Sequence, residues 1–141
     1  MAQSSSSRDI LAKLISFPTV SSDSNLPLIE WVEACLEGCG IKSQRVPGPC
    51  GKKAHLYAQT GPRIDGGVIL SGHTDVVPVE GQAWTTDPWR LSERDGKLFG
   101  RGACDMKGFD ALALYAMARA SKLDLKRPLQ LAFSFDEEVG C

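Results

Sequence analysis

The sequence predicts a layered α/β domain built on a mixed sheet, on three observations. Two stretches near the N-terminus carry apolar residues at helical spacing, Ile10, Leu11, Leu14 and Ile15 in the first and Leu28, Ile29, Val32 and Leu36 in the second. Short apolar runs such as "AHLYAQT" and "GGVIL" follow, separated by Gly/Pro turns. An Ala/Leu-rich helix, "GFDALALYAMARA", then stands between "GGVIL" and a further apolar strand, "PLQLAFSF". Helices followed by strands, with a strand–helix–strand unit at the end, are the pattern of a layered fold with a mixed sheet.

Each element has its own signals. Ser6 or Ser7 can cap the first helix, and Pro18 follows its end. "SSDSN" is a polar loop. The second helix has Pro27 in its first turn and Gly40 as its stop. "IKSQRV" alternates like a strand, "PGPCGKK" turns, and "AHLYAQT" is a second strand. "GPRIDG" leads into a third, Gly67 to Leu70, expected to be buried. From Val76 to Phe99 the chain reads as one long irregular loop with Pro78, Gly81, Pro88 and Gly96, and Trp84 and Trp89 are expected to pack it onto the body. The sheet is expected to end at "LAFSF" with an open apolar edge.

Composition excludes several function classes. The 141 residues are 43% hydrophobic and 23% charged, ordinary for one globular domain. A net charge of −1 with both signs interspersed argues against a nucleic-acid or membrane surface. No apolar run approaches the ~20 residues of a membrane span. "MAQSSSSRDI" lacks the apolar core of a signal peptide, so a cytoplasmic protein is expected. Five irregularly spaced cysteines do not make a disulfide framework, and Cys35 and Cys39 have no second pair to complete a structural zinc site. There is no Walker A pattern, G-x-S-x-G elbow or H-E-x-x-H helix, and "GRGACD" lacks the third glycine of a dinucleotide fingerprint.

The polar residues gather where an α/β sheet binds ligands, outside the C-terminal ends of its strands. "SGHTDVVP" delivers His73 and Asp75 there, two residues apart and on one face of an extended chain. A carboxylate beside an imidazole fixes its tautomer and makes the other ring nitrogen a better base or ligand. Asp105 in "GRGACDMKG" and Asp136, Glu137 and Glu138 in "DEEVGC" add carboxylates. One imidazole with several carboxylates suits zinc, manganese or cobalt in a hydrolytic site. Two other readings stay open: Cys104 as a thiol nucleophile with His73 as base, and the acidic cluster as a solvated turn.

In this order and at these intervals, "SGHTDVVP", "GRGACDMKG" and "DEEVGC" resemble the zinc-dependent amidohydrolases that include acetylornithine deacetylase, succinyl-diaminopimelate desuccinylase, aminoacylase and carboxypeptidase G2. The intervening "AWTTDPWRL" and "DGKLFGRG" look most like the acetylornithine-cleaving branch. The resemblance implies a zinc-exopeptidase-type catalytic domain with two divalent metal ions, zinc first and cobalt as an alternative. It implies that His73 binds one metal, that Asp105 bridges both, and that Glu138 binds the second. Asp75 would hold the far nitrogen of His73, and Glu137 would be the general base. The implied substrate is a small N-acyl amino acid, N2-acetylornithine first, in arginine biosynthesis, and the implied enzyme is a homodimer. A sister desuccinylase, dipeptidase or carboxypeptidase activity is the alternative, as is an inactive metal-binding fragment. The family's two remaining ligands, an acidic residue and a later His, and its lid domain have no counterpart here, so residues 1–141 are expected to be an N-terminal portion of such a domain.

Overall fold

A computed structural model describes residues 6–140; residues 1–5 of the opening stretch and Cys141 lie outside the described residues. Helix α1, Ser7–Ile15, starts at Ser6, whose side chain accepts from the Asp9 N–H while the Asp9 carboxylate accepts from the Ser6 N–H. This reciprocal capping box satisfies two donors that a helix start leaves free. Helix α2, Leu26–Gly38, has Pro27 in its first turn, and Gly40 follows it with φ +73°.

The main sheet holds β1 (Ser43–Pro47), β2 (Ala54–Thr60), β3 (Val68–His73) and a last strand, β6 (Leu129–Ser134). Its spatial order is β1-β2-β6-β3. The β1/β2 and β2/β6 pairs are antiparallel and β3/β6 is parallel, so the sheet is mixed. Helix α3, Lys107–Ala120, makes the crossover from β3 to β6. Burial alternates along the inner strands: Ala54, Leu56 and Ala58 of β2 and Leu131 and Phe133 of β6 face the helices. There they meet Leu28, Ile29, Val32 and Leu36 of α2 and Ala113, Leu114 and Met117 of α3, with Leu14 and Ile15 of α1 in the same core. Each fully buried Leu, Ile or Phe contributes about 1.5–3 kcal/mol of transfer free energy.

Four expectations need correction. The third strand runs on to His73, so the imidazole belongs to the strand and not to the loop after it. That strand is also not buried throughout: Val68 and Ile69 are each 56% exposed, because β3 is an edge of the sheet among the described residues. The "LAFSF" strand lies inside the sheet, between β2 and β3, and among the described residues the edges are β1 and β3. Finally, the 76–99 loop is not wholly irregular. It contains a hairpin, β4 (Ser92–Arg94) and β5 (Lys97–Phe99). Asp95 and Gly96 form its turn with φ of 52° and 70°, the double positive φ of a two-residue hairpin. Trp84 and Trp89 are half-buried and lie under the Arg101 guanidinium and the Lys107 ammonium respectively. Among the described residues, no helix is long and apolar enough to cross a membrane.

Candidate metal centre

The parallel β3/β6 pairing builds the site. His73 at the end of β3 sits opposite Ser134 at the end of β6, and the Thr74 N–H still donates to the Ser134 carbonyl at 2.9 Å. The next residues of both strands therefore leave the sheet side by side. Asp75 emerges from one, and Asp136 with the short 3-10 turn Glu137–Val139 from the other. Asp105 arrives from the loop before α3. Gly102 in that loop has φ +77°, and a Cβ there would stand 2.7 Å from Val76 Cγ1, so the loop can press against β3's extension only without a side chain.

His73, Asp105 and Glu138 each place a potential ligand atom within 4.8 Å of the others, in the one such group among the described residues. His73 is buried, whereas the Asp105 and Glu137 side chains are 73% and 53% exposed, so the group opens to solvent on one side. Glu137 lies at the rim with Oε2 3.5 Å from His73 Nε2. Cys35 and Cys39 hold no such cluster, and Cys104 is an exposed thiol beside Asp105.

Asp75 does a different job from the one expected of its carboxylate. His73 Nδ1 bonds to the main-chain oxygen of Asp75 at 2.9 Å, while the nearest carboxylate oxygen is 3.4 Å away. That carboxylate instead accepts from the Ser21 hydroxyl at 2.6 Å and from the Glu137 and Glu138 N–H groups at 3.2 Å each. Asp75 thus ties the acidic turn to the end of β3.

The donor set fits a cation. A carbonyl oxygen only accepts, so Nδ1 carries a hydrogen and the neutral imidazole presents a bare Nε2. Nε2 faces Asp105 Oδ1 at 3.0 Å, and two acceptors at that separation need a positive charge to share. Burial disfavours the imidazolium, but the carboxylate of Asp105, the carbonyl and charge of Asp75 and the charge of Glu137 outweigh it and hold the His73 pKa above its ordinary value. Glu138 is pushed up as well, by burial first and then by the charges of Asp105, Asp75 and Glu137, with His73 opposing. A divalent metal relieves the same repulsion without a proton.

Behind His73 lies a second polar layer that sequence reasoning missed. Asp110, in the first turn of α3, is buried with Oδ1 unpartnered, and a Cβ on Gly72 would collide with that oxygen. Burial pushes its pKa up to about 8 against the opposing charges of His73 and Lys107. Lys107, equally enclosed, donates to the Phe17 carbonyl at 2.7 Å, and burial draws its pKa down to about 7 while Asp110 opposes. Ser21 in "SSDSN" carried no signal either, since a serine in a polar loop is unremarked in any sequence. A cleft of about 430 Å³ lined by Trp84, Arg94 and Phe99 shares no residue with the donor cluster.

Residues 69–141, which hold all three motifs, match the profile of peptidase family M20/M25/M40. The chain belongs to this family. It is 41% identical over 138 residues to an acetylornithine deacetylase of Myxococcus xanthus, covering 94% of this chain and 35% of the relative. Human carnosine dipeptidase 1 superposes with a TM-score of 0.81 at 28% identity, over 95% of this chain and 32% of that one. An M20 family metallo-carboxypeptidase of Sulfolobus solfataricus, Sso-CP2, gives a TM-score of 0.84 at 20% identity, over 96% and 32%, a likeness of fold alone. The M20 chain thus spans about a third of the length of the relatives it matches.

Proposed function

We propose that this chain contributes the metal-binding part of an amidohydrolase that cleaves the acyl amide of an N-acyl amino acid, with N2-acetylornithine as the first candidate. The observation that carries the reading is the His73, Asp105 and Glu138 donor group at the shared end of β3 and β6. The 41% identity to an acetylornithine deacetylase supports the choice of substrate. In this reading His73 and Asp105 hold one ion, and Asp105 and Glu138 a second. Zinc is the proposed metal, with cobalt as the alternative. Residues 1–141 form an N-terminal portion of the catalytic domain, and the ligand set is completed by other residues of a whole enzyme.

When bound, the metal would polarise the amide carbonyl and make water a better nucleophile at neutral pH. The chain's own residues do the rest. The Asp75 carbonyl keeps a hydrogen on Nδ1 of His73, so Nε2 presents its lone pair. Glu137 stands at the open rim beside the donor group and outside it, so it can take a proton from the attacking water and return it to the leaving amine. The C–N bond breaks, the hydroxyl joins the acyl carbon, and the amine leaves protonated.

The test is zinc titration together with an acetylornithine assay. Catalytic zinc usually takes three protein ligands plus water, so three donors suffice for one ion and not for two. We expect the 141-residue protein to bind one zinc, His73→Ala to bind at least about tenfold more weakly, and neither to hydrolyse acetylornithine. Two tightly bound ions with turnover would overturn the reading of the ligand set, and wild-type affinity in His73→Ala would overturn the site. A dipeptidase is the second reading, favoured by the fit to human carnosine dipeptidase 1.

A further inference from the structure

The acidic turn is held from behind by residues that belong to none of the three motifs. The segment Thr19–Ser21 runs alongside the extension of β3. Val20 bridges Val76 in parallel, the Val76 N–H donates to the Thr19 carbonyl at 3.0 Å, and the Ser21 N–H donates to the Val76 carbonyl at 3.2 Å. This stitching puts the Ser21 hydroxyl on Asp75 Oδ2 at 2.6 Å, with both side chains buried. The Ser21 carbonyl points the other way, and the Lys53 ammonium donates to it. The same ammonium donates to Asp136 Oδ1, an ion pair in which the side chains are only 15% and 27% exposed. Asp136 opens the acidic turn with φ +63°, a left-handed conformation that a non-glycine residue keeps only when its surroundings hold it. Phe135 is fixed in turn by stacking on His55, with ring centroids 4.1 Å apart and the Lys53 ammonium 5.8 Å from its ring.

We infer that Lys53 and Ser21 form a brace that presets the position of Glu138 relative to His73 and Asp105, and so set the metal affinity of a site they do not touch. Asp136, first of the three acidic residues, is thereby removed from the donor set and made an anchor. Ser21 is the joint, its carbonyl taking Lys53 and its hydroxyl orienting the Asp75 carboxylate that receives the Glu137 and Glu138 N–H groups. Both are positioning residues. The inference rests on the metal-binding reading of the His73 group.

The sign of the effect separates a brace from a mere charge. Lys53 is a cation near a cation site, so by Coulomb's law alone its removal should tighten zinc binding. Loss of a brace should loosen it. Zinc affinity of the 141-residue protein is measured by competition with a chromophoric chelator, and the visible spectrum of the cobalt form is recorded. Lys53→Met and Ser21→Ala are each expected to weaken zinc by about 10–100-fold, the usual cost of losing a group that orients a ligand. The cobalt spectrum should shift in both as Glu138 leaves its place, and Lys53→Arg should restore much of the affinity. Unchanged or tighter zinc binding in Lys53→Met overturns the brace; should that variant not fold, unchanged binding in Ser21→Ala, which deletes one oxygen, overturns it. A wild-type chain that binds no zinc sinks the metal reading and the brace with it, whereas a wild type that binds and variants that match it sink the brace alone.

Discussion

Replacing Asp75 with alanine separates its two roles, because its main chain holds the imidazole and its side chain holds the acidic turn. The variant keeps the carbonyl that fixes His73 Nδ1 and loses three bonds to the carboxylate, one of 2.6 Å from Ser21 and two of 3.2 Å from Glu137 and Glu138. A hydrogen bond to a charged group nets about 1.5–3 kcal/mol, and the two longer ones belong at the low end. Water can reach the half-exposed turn, and removing a carboxylate that pushes up the Glu138 pKa returns part of the loss. The expected cost is about 3–5 kcal/mol of folding stability, the range found when one partner of a buried charged network is deleted. Zinc affinity should fall about 10–100-fold. Urea denaturation and zinc titration read these two effects. Nitrogen NMR of the imidazole reads a third: the Nδ1–H tautomer of His73 should persist in the variant. A tautomer that switches would mean that the carboxylate, not the carbonyl, governs the ring. A stability loss below about 1 kcal/mol with unchanged zinc binding would refute the assignment altogether.

Three further outcomes are expected. Glu137→Gln in a catalytically complete enzyme should abolish turnover with metal content near normal, and Glu138→Ala should lower the metal content itself; metal analysis showing the reverse means that the pair is swapped. Asp110→Asn should change the pH dependence of stability. The folded Asp110 titrates at about 8 against an ordinary 3.8, so above pH 4 unfolding releases a proton and wild-type stability falls up to about pH 8. Lys107 titrates at about 7 when folded and 10.5 ordinarily, so its opposite contribution begins only above pH 7. Between pH 5 and 7 the advantage of the variant should therefore grow, by at most about 1.4 kcal/mol per pH unit, and a constant difference in denaturation series would exclude a neutral Asp110. Gly72→Ala should destabilise by about 1–3 kcal/mol through overpacking against the Asp110 carboxylate, and pairing it with Asp110→Ala should recover much of that loss in thermal unfolding.

The parts of the fold that rest on period and punctuation were legible in the sequence. Helices α1, α2 and α3 follow from their apolar spacing, and the strands from short alternating runs. His73 and the carboxylates of Asp75, Asp105, Asp136, Glu137 and Glu138 stand out as polar residues at the ends of apolar strands and in the turn before α3, but the choice of His73, Asp105 and Glu138 among them rested on the family resemblance. The β4–β5 hairpin also had a signal, Asp95-Gly96, which the surrounding prolines and tryptophans obscured. What could not be read depends on neighbours distant in sequence. Whether β3 or β6 is the edge is decided by insertion order, and nothing in "GGVIL" distinguishes an edge strand from a buried one. Ser21 and Lys53 are common residues whose partners lie 54 and 83 positions away. The backbone contact from Asp75 is invisible to a reading that assigns chemistry to side chains.

The order β1-β2-β6-β3 has a consequence for how the molecule comes together. β2 and β3 are consecutive in the chain but never touch as strands, since β6 lies between them and pairs with both along its length. Until β6 arrives, each presents a bare inner edge, open to pairing with another molecule. Loop-closure entropy is met before these distant contacts repay it, so the pairing of β6 with β2 and β3 is the entropically costly contact in this sheet. The same pairing carries the acidic turn to His73, so the site is complete only when the sheet is closed. On the metal-binding reading, an ion held by His73, Asp105 and Glu138 would favour the closed sheet, because one of its donors directly follows β6.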